Sequence, residues 1–249
     1  MEKTILVINP NTSEEMAKSI DASAKSIASG FNIITRVAEF GPETIEGPVD
    51  RALCVPGMIA TAINEKNEFH AIVSACFADP GIEALQSLFD LPVLGIADSS
   101  FFLASRIATQ FSILALQQTS VPFLTKLVKE KGYAQHLFMI KGAGVTALET
   151  EGQHEEVAEK ILITAKRLVE EGSQILVMAC AGLGPYAELI FSETGIPCID
   201  PVKAGVQMAG IATQYMHRTK GSLSHGPYDK KLMGYHSLRK LYNKTQNAS

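Results

Sequence analysis

The sequence predicts an α/β fold of two pseudo-symmetric lobes, each an open, mainly parallel sheet flanked by helices, with the functional cleft between them. Three observations predict it. Apolar strand-like runs alternate with amphipathic helical runs along the chain, the pattern of parallel sheets joined by right-handed crossovers. The order of these runs repeats after about a hundred residues. Finally, Ala71-Ile-Val-Ser-Ala-Cys76-Phe-Ala-Asp-Pro80-Gly81 and Ile175-Leu-Val-Met-Ala-Cys180-Ala-Gly-Leu-Gly-Pro185 share one plan: apolar strand, Ala-Cys, then a helix start. Cys76 and Cys180 stand 104 positions apart, Leu91-Pro92 and Ile196-Pro197 105 apart, and Thr12-Ser13 and Thr119-Ser120 107 apart.

Taken in order, the runs at 4–8, 33–37, 71–75 and 93–96 read as buried parallel strands. Helical spacing with polar faces covers 13–29, 49–66 and 81–89. The second half places strands at 111–116, 137–140, 175–179 and 198–199, with helices at 121–131, 154–171 and 185–194. A longer helix, 202–216, is expected to return and pack on the first lobe. The first lobe is therefore assigned to 1–97 plus about 205–249, and the second to 98–204. The tail from His217, rich in Lys, Gly, Ser and His, reads as a surface segment, partly disordered after Tyr242. Ligands of open parallel sheets bind beyond the strand carboxyl ends, where Cys76 and Cys180 lie.

Composition narrows the function classes. A formal charge of -4 over 249 residues provides no basic patch, so nucleic acid and anionic membrane surfaces are poor partners. No apolar run approaches the roughly 18 residues of a membrane span. The chain enters a strand at once after Met1-Glu-Lys-Thr4, without a leader, so a cytoplasmic protein with reduced thiols is expected. Cys54, inside a helix, and Cys198, inside a short strand, read as small buried hydrophobes. There is no Cys-x-x-Cys pair, and no His at ligand spacing from either strand-end thiol, so no metal is expected. Gly142-Ala-Gly144-Val-Thr-Ala147 fits a loose dinucleotide pattern. The next helix begins too late to open at those glycines, and no acidic residue closes a following strand. A Gly-x-Ser-x-Gly elbow is absent, and Asn11-Thr12-Ser13 is a glycosylation sequence that a chain without a secretory signal would not use.

Four stretches, Ile8-Asn-Pro-Asn-Thr-Ser13, Gly41-Pro-Glu-Thr-Ile-Glu-Gly47, Cys76-Phe-Ala-Asp-Pro-Gly81 and Cys180-Ala-Gly-Leu183, together resemble the hydantoin and allantoin racemases of the aspartate/glutamate racemase superfamily. The resemblance spans most of the chain. It implies no cofactor, a small-molecule cyclic ureide or imide as substrate, and a homo-oligomer. It also implies Cys76 and Cys180 as the acid/base pair, with Asn11, Ile45, Phe77, Ala78, Thr119, Ala181 and Gly182 lining the pocket. The chain departs from the family pattern at Leu116-Gln117-Gln118-Thr119, where relatives are threonine-rich. The superfamily's free amino-acid racemases carry Asn-Thr and Thr-His after their two cysteines. Here Phe77-Ala78 and Ala181-Gly182 leave backbone N–H groups as the main donors, which suits a neutral ring better than a charged amino acid.

The chemistry of the pair points the same way. Inverting a stereocentre needs a base on one face and an acid on the other, and two groups of one chemical type make both directions accessible. A helix starting just beyond each cysteine is expected to lower the thiol pKa. Two other classes remain open at this level. An arylmalonate-type decarboxylase would need only the second cysteine, and a two-lobed binding protein would hold both thiols inert. Phe77 and Ile45 suggest an apolar wall, whereas Gln117 or Gln118 could pair with a ureido arm.

Overall fold

Each half of the chain folds into a four-stranded, fully parallel sheet in the computed structural model, which describes residues 2–151 and 154–215. The first sheet has the order β2-β1-β3-β4, from β1 (Lys3–Asn9), β2 (Phe31–Val37), β3 (Ala71–Ser74) and β4 (Val93–Gly95). The second repeats it as β6-β5-β7-β8, from β5 (Phe111–Ala115), β6 (Leu137–Gly142), β7 (Leu176–Met178) and β8 (Cys198–Ile199). In register, Ile8 lies opposite Ser74 and Leu114 opposite Met178, so the central strand pair of each sheet ends level.

The strands are apolar on both faces because both faces are covered. Ile5, Val7, Ala71 and Val73 turn inward and share one core with Phe111, Ile113, Ile175 and Val177 of the second sheet. Leu6, Ile8 and Ile72 turn outward onto Cys54 and Met58 of α2 (Pro48–Asn64) and Leu85 of α3 (Ile82–Leu88). Leu114, Leu176 and Met178 do the same against α6 (Glu155–Glu170) and α7 (Ala187–Thr194). The inner core is completed by α1 (Glu14–Ile27), α5 (Val121–Glu130) and α8 (Pro201–Tyr215). Helix α8 returns to the first sheet as expected. Gly205 makes this close, since a Cβ there would lie 2.9 Å from Ile96 Cγ2 and 3.1 Å from Val73 Cγ1.

One helix was not legible. The strand expected at 93–96 ends at Gly95, and α4 (Ile96–Ile107) follows at once, buried between the two sheets. Its opening Ile-Ala-Asp-Ser-Ser reads locally as a loop, and the carboxylate that caps it comes from Asp79, 18 and 19 residues from the N–H groups it holds (Ala97 N, 2.9 Å; Asp98 N, 3.0 Å). The helix expected at 185–194 begins as a 3₁₀ helix, Ala181–Tyr186, and becomes α7 only at Ala187. The expected surface tail, and the part of the first-lobe assignment at 216–249, lie outside the described residues. No helix among the described residues is long and apolar enough to cross a membrane.

Candidate active site

Identical strand orders put the reversal of connection between β1 and β3 in one sheet and between β5 and β7 in the other, and the carboxyl ends at such reversals form ligand crevices. Cys76 lies two residues past the end of β3, in a tight turn closed by Asp79 N donating to the Cys76 carbonyl at 2.9 Å. Asp79 takes the left-handed backbone (φ 46°) that completes this turn. Cys180 lies two residues past the end of β7 and caps the 3₁₀ helix. The helix expected directly after Cys76 therefore starts only at Ile82, and the turn replaces it.

Both thiols line a cavity of about 150 Å³ between the lobes. Asn11, Ile45, Phe77, Ala78, Thr119 and Ala181 line it with them. Phe77 is anchored behind the wall by an edge-on contact with Phe101 (5.5 Å), which stacks in turn on Phe111. Gly182 is not part of the lining. It is pressed against Thr150, where a Cβ would lie 2.2 Å from Oγ1, and it reaches the site only by aiming its backbone N–H at the Cys180 sulfur. A larger depression of about 520 Å³ lies behind Gly182, between α1 and the 3₁₀ helix; it holds neither thiol and is lined by Glu15, Lys18, Glu188 and Lys203.

The expected lowering of the thiol pKa values is overturned. Burial pushes the Cys180 thiol up to about 11, although the N–H groups of Gly182 and Leu183 oppose it. Burial pushes Cys76 higher still; the single N–H of Ala78 opposes this, and a charge on Cys180 adds to it. Desolvation wins because both residues sit deep in the cleft, where only the cavity side is open. A negative charge on Cys180 disfavours one on Cys76, which adds to the effect of burial.

Ties across the cleft fix the two loops relative to each other. Ser13 Oγ donates to Glu151 Oε1 at 2.6 Å, Lys131 Nζ lies 3.6 Å from Asp79 Oδ2, and the Arg51 guanidinium stacks 4.4 Å from the Phe123 ring centre. Each joins a residue of the first sheet's layer to one of the second's.

A family model described as Asp/Glu/Hydantoin racemase matches residues 5–209. The chain belongs to this family. It is 36% identical to a hydantoin racemase of Pseudomonas sp. (strain NS671), over 82% of this chain and 84% of that protein. To a hydantoin racemase of Paenarthrobacter aurescens it is 34% identical, over 89% and 95% respectively. The allantoin racemase from Klebsiella pneumoniae superposes with a TM-score of 0.86 at 30% identity, covering 93% of this chain and 96% of that one. The protein is thus a racemase, an isomerase of the hydantoin/allantoin racemase type.

In this racemase the cavity also takes Gln117, one of the two glutamines suggested for a ureido arm, and Asn9, Glu46, Ser120, Phe123 and Thr146, which did not stand among the predicted site residues. Asn9 and Glu46 lie inside two of the quoted motifs, so their signal was present in the sequence. Asn9 is fully buried and donates from Nδ2 to Asn11 Oδ1 (2.6 Å) and the Ser13 carbonyl (3.0 Å), which shapes the turn that presents Asn11. Phe123 and Thr146 had no such signal, because only the tertiary fold brings α5 and the loop after β6 to the cleft. Of the two glutamines, Gln117 lines the cavity, whereas Gln118 Oε1 accepts from Gly142 N at 3.1 Å and serves the loop. Gly142 permits that contact, since a Cβ there would lie 2.2 Å from Gln118 N. Gly142 of the loose dinucleotide pattern thus has a structural reason.

Proposed function

We propose that this family member is a cofactor-independent racemase of 5-substituted hydantoins or allantoin, working by proton transfer between the ring carbon and the Cys76/Cys180 pair. The observation that carries the reading is the placement of both thiols, each on an equivalent strand end, on one small cavity. The reaction starts from the minor, singly protonated form of the pair, in which one sulfur is a thiolate and the other a thiol. The thiolate removes the proton at the chiral ring carbon, and the electron pair moves into the neighbouring ring carbonyl to give an enolate. The opposite thiol then delivers its proton to the other face, and the enolate collapses to the inverted ring. The protonation states of the two sulfurs are now exchanged, which is the state needed for the opposite enantiomer. The N–H groups of Ala78 at Cys76, and of Gly182 and Leu183 at Cys180, stabilise whichever sulfur is charged.

The remaining lining supports a neutral ring. Ala75, Ala78, Ala115, Ala179 and Ala181 are small and apolar, while Asn11, Gln117, Thr119 and Thr146 offer neutral hydrogen-bonding groups. Cytoplasmic location and homo-oligomeric assembly belong to the same proposal. Cell fractionation and light scattering of the purified chain test them.

The direct test is Cys76→Ser and Cys180→Ser. A serine hydroxyl cannot act as an efficient base near neutral pH, so each variant loses racemisation by about 10³-fold or more. Each keeps slow exchange of the ring proton with solvent deuterium for the one enantiomer whose base survives, and the two variants prefer opposite enantiomers. Cys54→Ser and Cys198→Ser retain racemisation. If Cys76→Ser keeps most of the activity, the two-base assignment is wrong and a single-cysteine chemistry replaces it.

A further inference from the structure

Among the described residues, the cavity is lined by one charged side chain. Among its described lining residues there is no Lys, Arg or His, and the only carboxylate is Glu46. Its backbone is fixed, because the N–H groups of Glu46 and Gly47 both donate to Asp50 Oδ2 (3.1 and 2.9 Å) at the start of α2. The side chain is exposed toward the mouth of the cleft, and no cation lies within ion-pair distance of it among the described residues. The neighbouring Arg51 is engaged with the Phe123 ring and is not part of the lining. The Glu46 charge is felt at the Cys180 sulfur, so its field reaches the reacting end of the cavity.

We propose that Glu46 sorts substrates by the charge of the group on the ring's chiral carbon, rejecting carboxylate-bearing rings and favouring substituents that present N–H donors or a cation. The inference rests on the racemase reading above and names the substrate class within it. A carboxylate brought into this cavity meets a like charge, and no cation among the described lining residues offsets it. A ureido or ammonium group finds an acceptor at the same place. At a separation of several ångströms and an effective dielectric near 20, one unit charge alters selection by roughly tenfold. A neutral group that offers no N–H donor is unaffected. The same sorting excludes the ring-opened N-carbamoyl acid, whose new carboxylate would otherwise compete with the ring for the site.

The test uses the full chain and three hydantoins carrying 2-carboxyethyl, 2-carbamoylethyl and 4-aminobutyl groups, with kcat/KM measured for each. The native protein is expected to turn over the carbamoylethyl ring about tenfold better than its carboxyethyl isostere. In Glu46→Gln that ratio falls toward one, and the aminobutyl ring loses about tenfold relative to the carbamoylethyl ring. Glu46→Asp, which keeps the charge, holds the native ratio. Because ratios between substrates are compared, any effect of Glu46 on Cys180 cancels. An equal change for all three rings in Glu46→Gln, or no preference in the native protein, overturns the proposal. Calorimetric titration with the same rings separates the two readings. Charge-dependent binding without turnover would sink the racemase reading and leave Glu46 standing, whereas turnover without charge dependence does the reverse. Binding of none of the rings sinks both.

Discussion

The two halves of the molecule fasten their cysteine loops to the helix that follows the sheet's last strand, with the same two partners in exchanged positions. In the first half the carboxylate is on the cysteine loop, at Asp79, and the glycine is at the N-cap of α4, at Gly95. In the second half the glycine is on the cysteine loop, at Gly184. The carboxylate is Asp200, which directly precedes α8 and accepts from Val202 N at 2.8 Å and Lys203 N at 3.2 Å. A Cβ at Gly95 would lie 2.1–2.3 Å from the Asp79 carboxylate atoms, and one at Gly184 2.8–2.9 Å from those of Asp200. The contact is therefore duplicated while the residues are not aligned: a capped helix start and a close approach of two loops are needed in each half, and either side can supply the charge. The first version is the tighter, and among the described residues it alone is reached by a cation of the other lobe, Lys131.

The same comparison extends to the thiols. Cys180 receives two backbone N–H groups and Cys76 one, so Cys180 is the more readily ionised of the pair. This gives the largest expected difference between the halves. At pH 9, iodoacetamide should alkylate Cys180 more than about tenfold faster than Cys76, as read by mass spectrometry of the two peptides. Both rates should climb with pH with no plateau below about pH 9, since neither thiol is appreciably ionised there. Equal rates, or fast reaction of either thiol at pH 6, would mean that the backbone donors outweigh burial after all.

The glycines come next. In Gly95→Ala the new methyl displaces a carboxylate that holds two helix N–H groups, which should destabilise the protein by about 3 kcal/mol in urea unfolding. Gly184→Ala, with the looser contact, should cost about 1 kcal/mol. A reversed order would show that the two fastenings are not built as the distances imply.

The smallest effect is a slope rather than an offset. Burial pushes the Asp79 carboxyl up to about 6 despite the Ala97 and Asp98 N–H groups and Lys131. The folded state thus holds this proton across pH 4–6 while the unfolded state releases it, so the contribution of Asp79 to stability is fully present below about pH 4 and declines as pH rises to about 6. Asp79→Asn, which tolerates the left-handed backbone, should remove that decline. Relative to the native protein it should gain about 2–3 kcal/mol between pH 4 and pH 7. A parallel pair of stability curves would show that Asp79 keeps an ordinary carboxylate affinity in the fold.

The sequence by itself determined the two-lobed parallel architecture and the two strand-end cysteines, because both rest on local patterns. An apolar run such as Leu6–Ile8 must be covered on both faces whatever its partners, and a repeated run implies a repeated sheet. The return of α8 to the first sheet was legible for the same reason, as a long apolar helix with no strand of its own left to cover. The tertiary structure decided what depends on groups distant in the chain. Helix α4 is invisible locally because its cap is Asp79. Phe123 and Thr146 enter the cleft only once β5 and β6 are paired, and Gly182 leaves it because Thr150 fills the space behind. Above all, the ionisation of the thiols follows the depth of the cleft. A motif records the N–H groups that favour a charge beside a cysteine, but the desolvation that opposes it is a sum over protein atoms that only the folded chain assembles.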